Sequence, residues 1–408
     1  MRFLLLNQCF YPDVVSTAQH LTDLATELAS RGHEVTVLTG DRGYDDPAHR
    51  FPRHERWNDI TIIRVPSLSL GKNSRWRRAV NFASFLTACS FRLLTLKRFD
   101  VVVALTSPPL ISFLAALFVK LRGGRFCFWV MDLNPDEAVA AGWLKERSAL
   151  ARLLQWMLRC SLKNADRTIA LDRFMKERLV TKGADPERVS VVPPWSHDDA
   201  VAYSPAGREV FRQRHGLTDK FVVMYSGNHS PCHPLDTLLT AALQLKARPD
   251  IVFCFVGGGS EQTKVREFAA QHELPNVKCF PYQPLNELSH SLSAADLHVV
   301  VMGEAFVGII HPCKIYNIMS VGAPTLYIGP ETSHVTDLAH TNYPMVFTRH
   351  GDTDSVVAQI LRARSQESPN REPLNAFSKH TLLPELIDLL EAEPKSEPYS
   401  FVHEVTLP

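Results

Sequence analysis

The segment FLLLNQCFYPDVVSTAQHLTDLATELASRGHEVTVLT, residues 3–39, contains a strand, a helix and a second strand. Its first apolar run stops at the polar Asn7, as is typical of a strand that is buried on both faces. Leu21, Leu24 and Leu28 then recur at helical spacing, and Gly32 ends the helix before an apolar run at 34–39. This order predicts a parallel sheet that is covered by helices.

The same pattern continues along the chain and restarts once. Further apolar runs predict strands at 60–64, 101–105, 126–131, 167–170 and 189–192. After a polar, proline-containing linker, strands are predicted at 221–225, 251–256, 277–280, 297–301 and 325–328, with helices at 235–245, 261–272, 285–294 and 313–321. We therefore predict an α/β protein with two Rossmann-like doubly wound domains facing across a cleft. The predicted domains are residues 1–200 and 206–380, followed by a C-terminal helix and tail at 381–408.

Composition excludes several classes of protein. The 408 residues are 45% hydrophobic and 21% charged, which excludes a disordered or fibrous chain. The balance of 44 basic and 43 acidic residues argues against a dedicated nucleic-acid binder. Residues 1–200 carry 28 basic and 21 acidic residues, a net charge of +7, whereas residues 201–408 carry 16 and 22, a net charge of −6. The two halves are thus expected to face different partners.

The cysteines and the N-terminus indicate the cellular compartment of the protein. Eight cysteines are scattered, mostly in apolar runs, and no CxxC pair accompanies them. This pattern favours buried thiols in a reducing compartment over a disulfide framework or a structural zinc site. The short apolar run after Met1 does not resemble a signal peptide or a membrane span. We expect a cytoplasmic protein.

In the second half of the chain, two loops that follow predicted strands contain glycine. Residues 225–234 read YSGNHSPCHP, and residues 256–261 read VGGGSE. Glycines here would let the backbone approach a diphosphate closely, although the second loop is an incomplete match to a dinucleotide fingerprint. A zinc site of His229, Cys232 and His233 remains an alternative for the first loop.

Lys314 is the most informative charged residue. It lies in the first turn of an otherwise apolar predicted helix, where a positive charge opposes the helix dipole. Such a placement favours a docking site for a doubly charged anion over a solvated surface lysine.

In the first half, carboxylates follow a predicted strand. Asp132 is expected to orient a substrate hydroxyl or to accept its proton, whereas Asp136 and Glu137 are expected to cap the next helix. The loop at 8–17 either binds a phosphate or sugar hydroxyl or is an ordinary turn in which Ser16 or Thr17 caps the helix.

The order of these motifs resembles family 4 glycosyltransferases of the GT-B fold. The resemblance covers roughly residues 1–345 and is strongest for the subgroup of capsule, colanic acid and O-antigen transferases. It is carried by LASRGHEV at 28–35, DRTIA at 166–170, VSVVPPW at 189–195, YSGN at 225–228, FVGGG at 255–259, AAD at 294–296 and GAP at 322–324.

The resemblance implies a metal-independent, retaining transfer from a nucleotide-diphosphate sugar, with no further cofactor. Asp132 and Lys314 would be catalytic. The residues expected to bind the donor are Ser16, Thr17, Gly227, Asn228, His229, Gly257, Gly258, Gly259, Glu304, Gly308, His311 and Asn317.

The sequence also departs from the family pattern. The segment after Asn228 lacks the family's usual arginine and lysine. The positive charge available to the donor diphosphate is therefore expected to come from Lys314, assisted by histidines and helix ends. The positions of the family's two glutamates are Ile309 and Asn317, and Glu304 is a candidate replacement for the first. Reduced activity, a hydrolase or epimerase of the same fold, and a non-catalytic partner subunit remain alternatives.

The acceptor is expected to be a saccharide or a lipid-linked saccharide. Arg75–Arg78 and other basic residues flank an apolar, aromatic predicted helix at 79–96, and Lys120 and Arg122 follow another apolar run. These residues suit peripheral contact with an anionic membrane, at the inner face of the plasma membrane, and a buried helix with solvated ends is the alternative.

Overall fold

A computed structural model describes residues 1–43, 48–70, 75–197, 200–341, 343–366, 371, 373–374 and 376–393. These residues form two compact units. The first unit holds residues 1–194, 308–310 and the described residues from 382 onwards, and the second holds 195–307 and 311–381. The predicted tail beyond residue 393 lies outside the described residues. Both units are α/β, as predicted.

The first unit is built on an eight-stranded sheet. Its strands are β1 (Arg2–Leu6), β2 (Glu34–Gly40), β3 (His54–Trp57), β4 (Ile60–Val65), β5 (Val101–Ala104), β6 (Arg125–Trp129), β7 (Arg167–Ala170) and β8 (Val189–Val191). Their order is β3-β4-β2-β1-β5-β6-β7-β8, and every pair is parallel except β3 with β4. The sequence did not predict β3, because this edge strand has the polar sequence HERW and no buried residue.

Six helices are described within residues 1–194 of the first unit. They are α1 (Ser16–Ser30), α2 (Arg75–Thr95), α3 (Ile111–Arg122), α4 (Asp136–Ala140), α5 (Ala149–Asn164) and α6 (Arg173–Thr181). In α1, the predicted apolar positions Leu21, Leu24 and Leu28 are all fully buried. The helix ends as predicted, because Gly32 takes the left-handed conformation with φ of +81°.

The second unit repeats the architecture with six parallel strands. They are β9 (Phe221–Asn228), β10 (Ile251–Gly258), β11 (Val277–Phe280), β12 (Leu297–Val301), β13 (Thr325–Ile328) and β14 (Met345–Thr348). The order β11-β10-β9-β12-β13-β14 is the Rossmann order, and β14 is a strand that the sequence did not predict. The remaining helices are α7 (Pro205–His215), α8 (Asp236–Gln244), α9 (Gln262–Gln271), α10 (Leu285–Ser293), α11 (Lys314–Ser320), α12 (His334–Asp337), α13 (Thr353–Ser365) and α14 (Lys379–Glu391). Among the described helices, none combines the length and the apolarity needed to cross a bilayer.

This topology positions the site in each unit. In an open parallel sheet, ligands bind outside the carboxyl ends of the strands, where the strand order reverses. The reversal lies between β9 and β12 in the second unit and between β1 and β5 in the first. The loops after these strands carry most of the predicted site residues.

Helix α14 belongs to the first unit from Leu382 onwards. Its apolar side chains Leu386 and Ile387 are fully buried. Its polar side meets the end of α1, where Arg31 pairs with Asp388 at 2.8 Å and His33 bonds Glu391 at 2.7 Å. The predicted C-terminal helix is therefore present, and hydrophobic burial rather than these partly exposed pairs holds it in place.

Asp296, in the AAD segment, ties α7 to the second sheet. Its carboxylate accepts a hydrogen bond from the Val222 amide of β9 at 2.7 Å and pairs with both Arg208 and Arg212 of α7. The side chain is only 14% exposed, so the guanidinium groups depend on it for charge compensation.

We predict that Asp296→Ala destabilises the second unit by about 3 kcal/mol, because it leaves two largely buried guanidinium groups without their carboxylate. Hydrogen exchange of the β9 amides, including Val222, would show the loss of protection. Asp250→Ala, which removes only the partly exposed pairs with Arg248 and Arg364, is the control. Unchanged β9 protection in the Asp296 variant would contradict this role.

Candidate active site

The carboxyl ends of β9 and β10 meet in two glycine-rich turns. The register places Gly227 beside Gly257 and Asn228 beside Gly258. Gly257 has a φ of +129°, and a Cβ there would lie 2.1 Å from the carbonyl oxygen of Gly227, so only glycine fits. The His229 amide donates to the carbonyl of Gly258 at 2.8 Å. This edge therefore presents backbone that a ligand can approach closely.

Lys314 begins α11, and its side chain lies across Gly227. Its Nζ is 3.8 Å from the centroid of the Tyr225 ring. A Cβ built on Gly227 would lie only 3.0 Å from the Cε of Lys314, so a side chain at this position would displace the lysine. The Nζ is buried and has no hydrogen-bond partner among the described residues.

The environment of this ammonium favours an anionic ligand. A desolvated cation–π contact contributes about 2 kcal/mol, less than the several kcal/mol that removing an ammonium from water costs. Burial consequently lowers the pKa of Lys314 to about 7, so the charged form is only partly populated at neutral pH. An anion bound against Nζ would supply the missing partner and restore the charge.

The neighbouring histidines do not add positive charge. Burial, with a contribution from Lys314, lowers the pKa of His229 to about 4 and that of His233 well below its usual value. Both rings are therefore neutral near pH 7, and Lys314 is the group of this cluster that can carry a positive charge there. The zinc alternative also lacks support, because among the described residues His229, Cys232 and His233 do not bring three ligand atoms close enough to share one ion.

In the first unit, Asp132 follows β6 and lies beside a second carboxylate. Its amide donates to Thr106 Oγ1 at 3.2 Å, and Glu137 accepts from Asn134 Nδ2 at 3.0 Å. Burial raises the pKa of Asp132, and the charge of Glu137 raises it further. Burial also raises the pKa of Glu137, against opposing effects of Asn134 and Arg78. The pair can therefore hold a proton at a pH where isolated carboxylates are ionised.

Family models match both units in turn. Residues 17–195 match a glycosyl transferase 4-like domain, and residues 207–370 match the glycosyl transferases of group 1. The chain belongs to the family 4 glycosyltransferases of the GT-B fold. A curated relative in Escherichia coli K12, WcaI, is named as a glycosyl transferase of colanic acid biosynthesis and is 25% identical over 378 residues, 89% of this chain and 92% of the relative.

Solved structures of glycosyltransferases share the fold. The sucrose-phosphate synthase of Thermosynechococcus elongatus has a TM-score of 0.73 at 15% identity, covering 95% of this chain and 98% of that one. HepE of Anabaena, in complex with UDP and glucose, has a TM-score of 0.71 at 15% identity, covering 96% and 99%. Glycosyltransferases of the GT-B fold use nucleotide-sugar donors.

The structure corrects two local predictions for this glycosyltransferase. Neither Ser16 nor Thr17 caps α1, because the N-cap is Val15, which offers no side-chain hydrogen bond, and both residues already lie within the helix. Asp136 does not cap α4, since Pro135 holds that position. The Asp136 carboxylate instead pairs with Lys182 at 2.7 Å.

Only some of the predicted donor residues come together. Gly227, Asn228, His229, Gly257–Gly259 and Lys314 form one cluster, whereas the remaining second-unit candidates make other contacts. Glu304 is exposed at the start of a short 3-10 turn. His311 is buried and bonds Tyr316 Oη at 2.7 Å, and Asn317 Oδ1 accepts from the His197 amide at 2.9 Å. Ser16, Thr17, Asp132 and Gly308 belong to the first unit.

Three residues that contact the cluster around Lys314 were not predicted from the sequence. Tyr225 lies beneath Lys314, and strand alternation could have placed it on the same face as Gly227. Gln262 donates to the Gly257 carbonyl at 2.8 Å. Tyr282 is 52% exposed and donates to the Gly258 carbonyl at 3.1 Å. Knowledge that β11 pairs with β10 would have been needed to find Tyr282.

We predict that Lys314→Met raises the thermal unfolding midpoint most at about pH 7 and below, and progressively less as the pH approaches 10.5. Between about pH 7 and 10.5 the unfolded chain binds a proton that folded Lys314 does not, so raising the pH favours the folded wild-type protein. Midpoints of both proteins across this range would measure the difference. Lys246→Met, a surface change in the same unit, is the control, and a pH-independent difference for Lys314→Met would contradict the burial of a charge.

Proposed function

We propose that this glycosyltransferase moves a sugar from a nucleotide-diphosphate donor to a saccharide or lipid-linked acceptor in cell-surface polysaccharide synthesis. The donor binds mainly in the second domain, residues 206–380, and the acceptor mainly in the first, residues 1–200. The observation that carries this assignment is the buried ammonium of Lys314 beside the glycine turns, which has no hydrogen-bond partner in the part of the chain that the structure describes. The name of the relative WcaI supports the polysaccharide pathway.

The donor diphosphate fits the chemistry of the cluster. Its oxygens would accept hydrogen bonds from Lys314 Nζ, and that side chain lies directly over the glycine turn at Gly227. Lys314 would stabilise the charge that develops on the leaving diphosphate, without a metal ion. The family resemblance also assigns Ser16, Thr17, Glu304, Gly308, His311 and Asn317 to the donor, and we keep these residues in the proposal.

The carboxyl pair of Asp132 and Glu137 would activate the acceptor hydroxyl. Attack by a hydroxyl on the anomeric carbon releases a proton, which Asp132 accepts when it is ionised. Glu137 shares the proton with Asp132 and keeps its pKa raised, so the base remains strong enough near neutral pH. Retention of the anomeric configuration is proposed from the family resemblance.

We also place the protein on the cytoplasmic side, in peripheral contact with the anionic inner face of the plasma membrane. The eight cysteines, all among the described residues, form no disulfide with one another, which is consistent with a reducing compartment. A lipid-linked acceptor would be presented at that surface, close to the basic first half of the chain.

We predict that binding of a nucleotide sugar is linked to proton uptake. The diphosphate raises the pKa of Lys314 from about 7, so the affinity should fall by up to about tenfold per pH unit above that value. Calorimetry of a panel of nucleotide sugars, in buffers with different ionisation enthalpies, measures the proton number. Lys314→Met should lose about 10- to 100-fold in affinity and all of the proton uptake.

Three outcomes separate this proposal from its alternatives. Proton-independent binding that Lys314→Met leaves unchanged would contradict the role of Lys314. No binding of any nucleotide sugar would favour a non-catalytic partner subunit. Release of nucleotide without an acceptor would favour a hydrolase.

We predict that Asp132→Asn lowers kcat by about 100-fold or more while leaving nucleotide-sugar affinity unchanged, because the amide cannot accept the proton. Nucleotide release in the presence of a membrane-lipid extract measures turnover. Asp136→Asn is the matched control, since its carboxylate pairs with Lys182 and is not assigned to the reaction. Equal turnover in both variants would exclude Asp132 as the base.

A further inference from the structure

Three helices of the first unit form one continuous layer, here called the helical face: α2, α3 and α5. Helix α3 packs against both of the others. The rings of Phe113 in α3 and Trp156 in α5 lie 5.8 Å apart. Arg122 of α3 donates to the carbonyl of Leu94 in α2 at 2.8 Å. Side chains on the outer surface of these helices therefore share one face.

This face exposes an unusual amount of apolar surface. On α2, Trp76, Val80, Phe91 and Leu94 are 36–68% exposed. At 100° per residue these four lie within an arc of about 60°, so they form one stripe along the 21-residue helix. Helices α3 and α5 add five more large apolar side chains, 46–66% exposed: Leu117, Leu121, Leu150, Leu153 and Trp156.

The charge of the helical face has one sign. Helices α2, α3 and α5 contain no aspartate or glutamate, and between Ile60 and Met131 the sequence contains a single acidic residue, Asp100. The basic residues of the three helices are Arg75, Arg77, Arg78, Arg92, Lys120, Arg122, Arg152, Arg159 and Lys163. A surface that only faces water does not need large exposed apolar side chains on helices without acidic residues. This combination therefore indicates an interaction surface.

We propose that the helical face docks onto an anionic lipid bilayer. Arginine and lysine would contact the phosphate headgroups, and the exposed side chains of Trp76, Phe91 and Leu121 would enter the boundary with the acyl chains. A second copy of the chain fits less well, because a two-fold interface would set the basic residues of these helices against the same basic residues. The charge complementarity thus selects an anionic surface.

The docking surface lies next to the proposed acceptor residues. In a parallel α/β sheet, the helices begin at the edge where the strands end, so the first turn of α2 lies at the edge that carries Asp132. The positive charge of Arg78 in that turn lowers the pKa of Glu137, against the larger effect of burial. The guanidinium of Arg78 lies 5.0 Å from the centroid of the Trp143 ring. Docking would bring this edge to the membrane, and access to a lipid-linked acceptor is the part that rests on the proposed function.

Flotation with vesicles tests the docking. The full chain is mixed with phosphatidylcholine vesicles with or without phosphatidylglycerol, at low and high salt. We expect binding only with phosphatidylglycerol and mainly at low salt. Phe91→Ser with Leu94→Ser, and separately Lys120→Glu with Arg152→Glu, should each weaken binding by about tenfold or more.

The controls keep folding and function separate from docking. Val210→Ser with Phe347→Ser changes two exposed apolar residues of the second unit and should bind vesicles like the wild type. Nucleotide-sugar binding should be unchanged in every variant, which shows that the protein is folded and reports on the donor site independently. Absence of binding to anionic vesicles, or equal binding by the helical-face variants, would overturn the proposal. Loss of a wild-type dimer in the Phe91 and Leu94 variant, measured by light scattering, would assign the face to a second copy instead.

Discussion

The proposed donor site of this glycosyltransferase depends on a single buried ammonium. Lys314 lies on the ring of Tyr225, and its Nζ has no hydrogen-bond partner among the described residues. The arrangement favours glycine at 227, where φ is +132° and a Cβ would lie only 3.0 Å from the lysine, and Gly227 in turn requires Gly257 beside it. The glycine turns and the lysine are therefore one structural unit, although Gly227 and Lys314 are 87 positions apart in the chain.

If the donor binds as proposed, the burial of this lysine explains how the acidic half of the chain would hold an anion. Residues 201–408 carry a net charge of −6, and the adjacent histidines are neutral. Charges interact more strongly where water is excluded, so one desolvated ammonium can do what several exposed cations do elsewhere. The basic half of the chain instead has several basic residues on the helices of the helical face. Such a distribution suits contact with a large anionic surface.

Sequence patterns predicted the repeated α/β architecture because buried parallel strands leave continuous apolar runs. Strands β3 and β14 were missed, the first because HERW at an edge has no such run. Lys314, Gly227 and Gly257 were identified as candidates, but their contact was not, because strand order and register bring distant residues together. The capping of α1 by Ser16 or Thr17 was wrong because the chain already turns helical at Ser16. Neutral histidines were beyond sequence reasoning, since burial sets their pKa.

A crystal structure of the protein with a bound nucleotide-diphosphate sugar would show directly whether Lys314 binds the diphosphate. We expect a diphosphate oxygen to lie about 2.7–2.9 Å from Lys314 Nζ, with the phosphates against the turns at Gly227 and Gly257. A donor whose diphosphate binds elsewhere, leaving Nζ buried on the Tyr225 ring without an anionic partner, would contradict it.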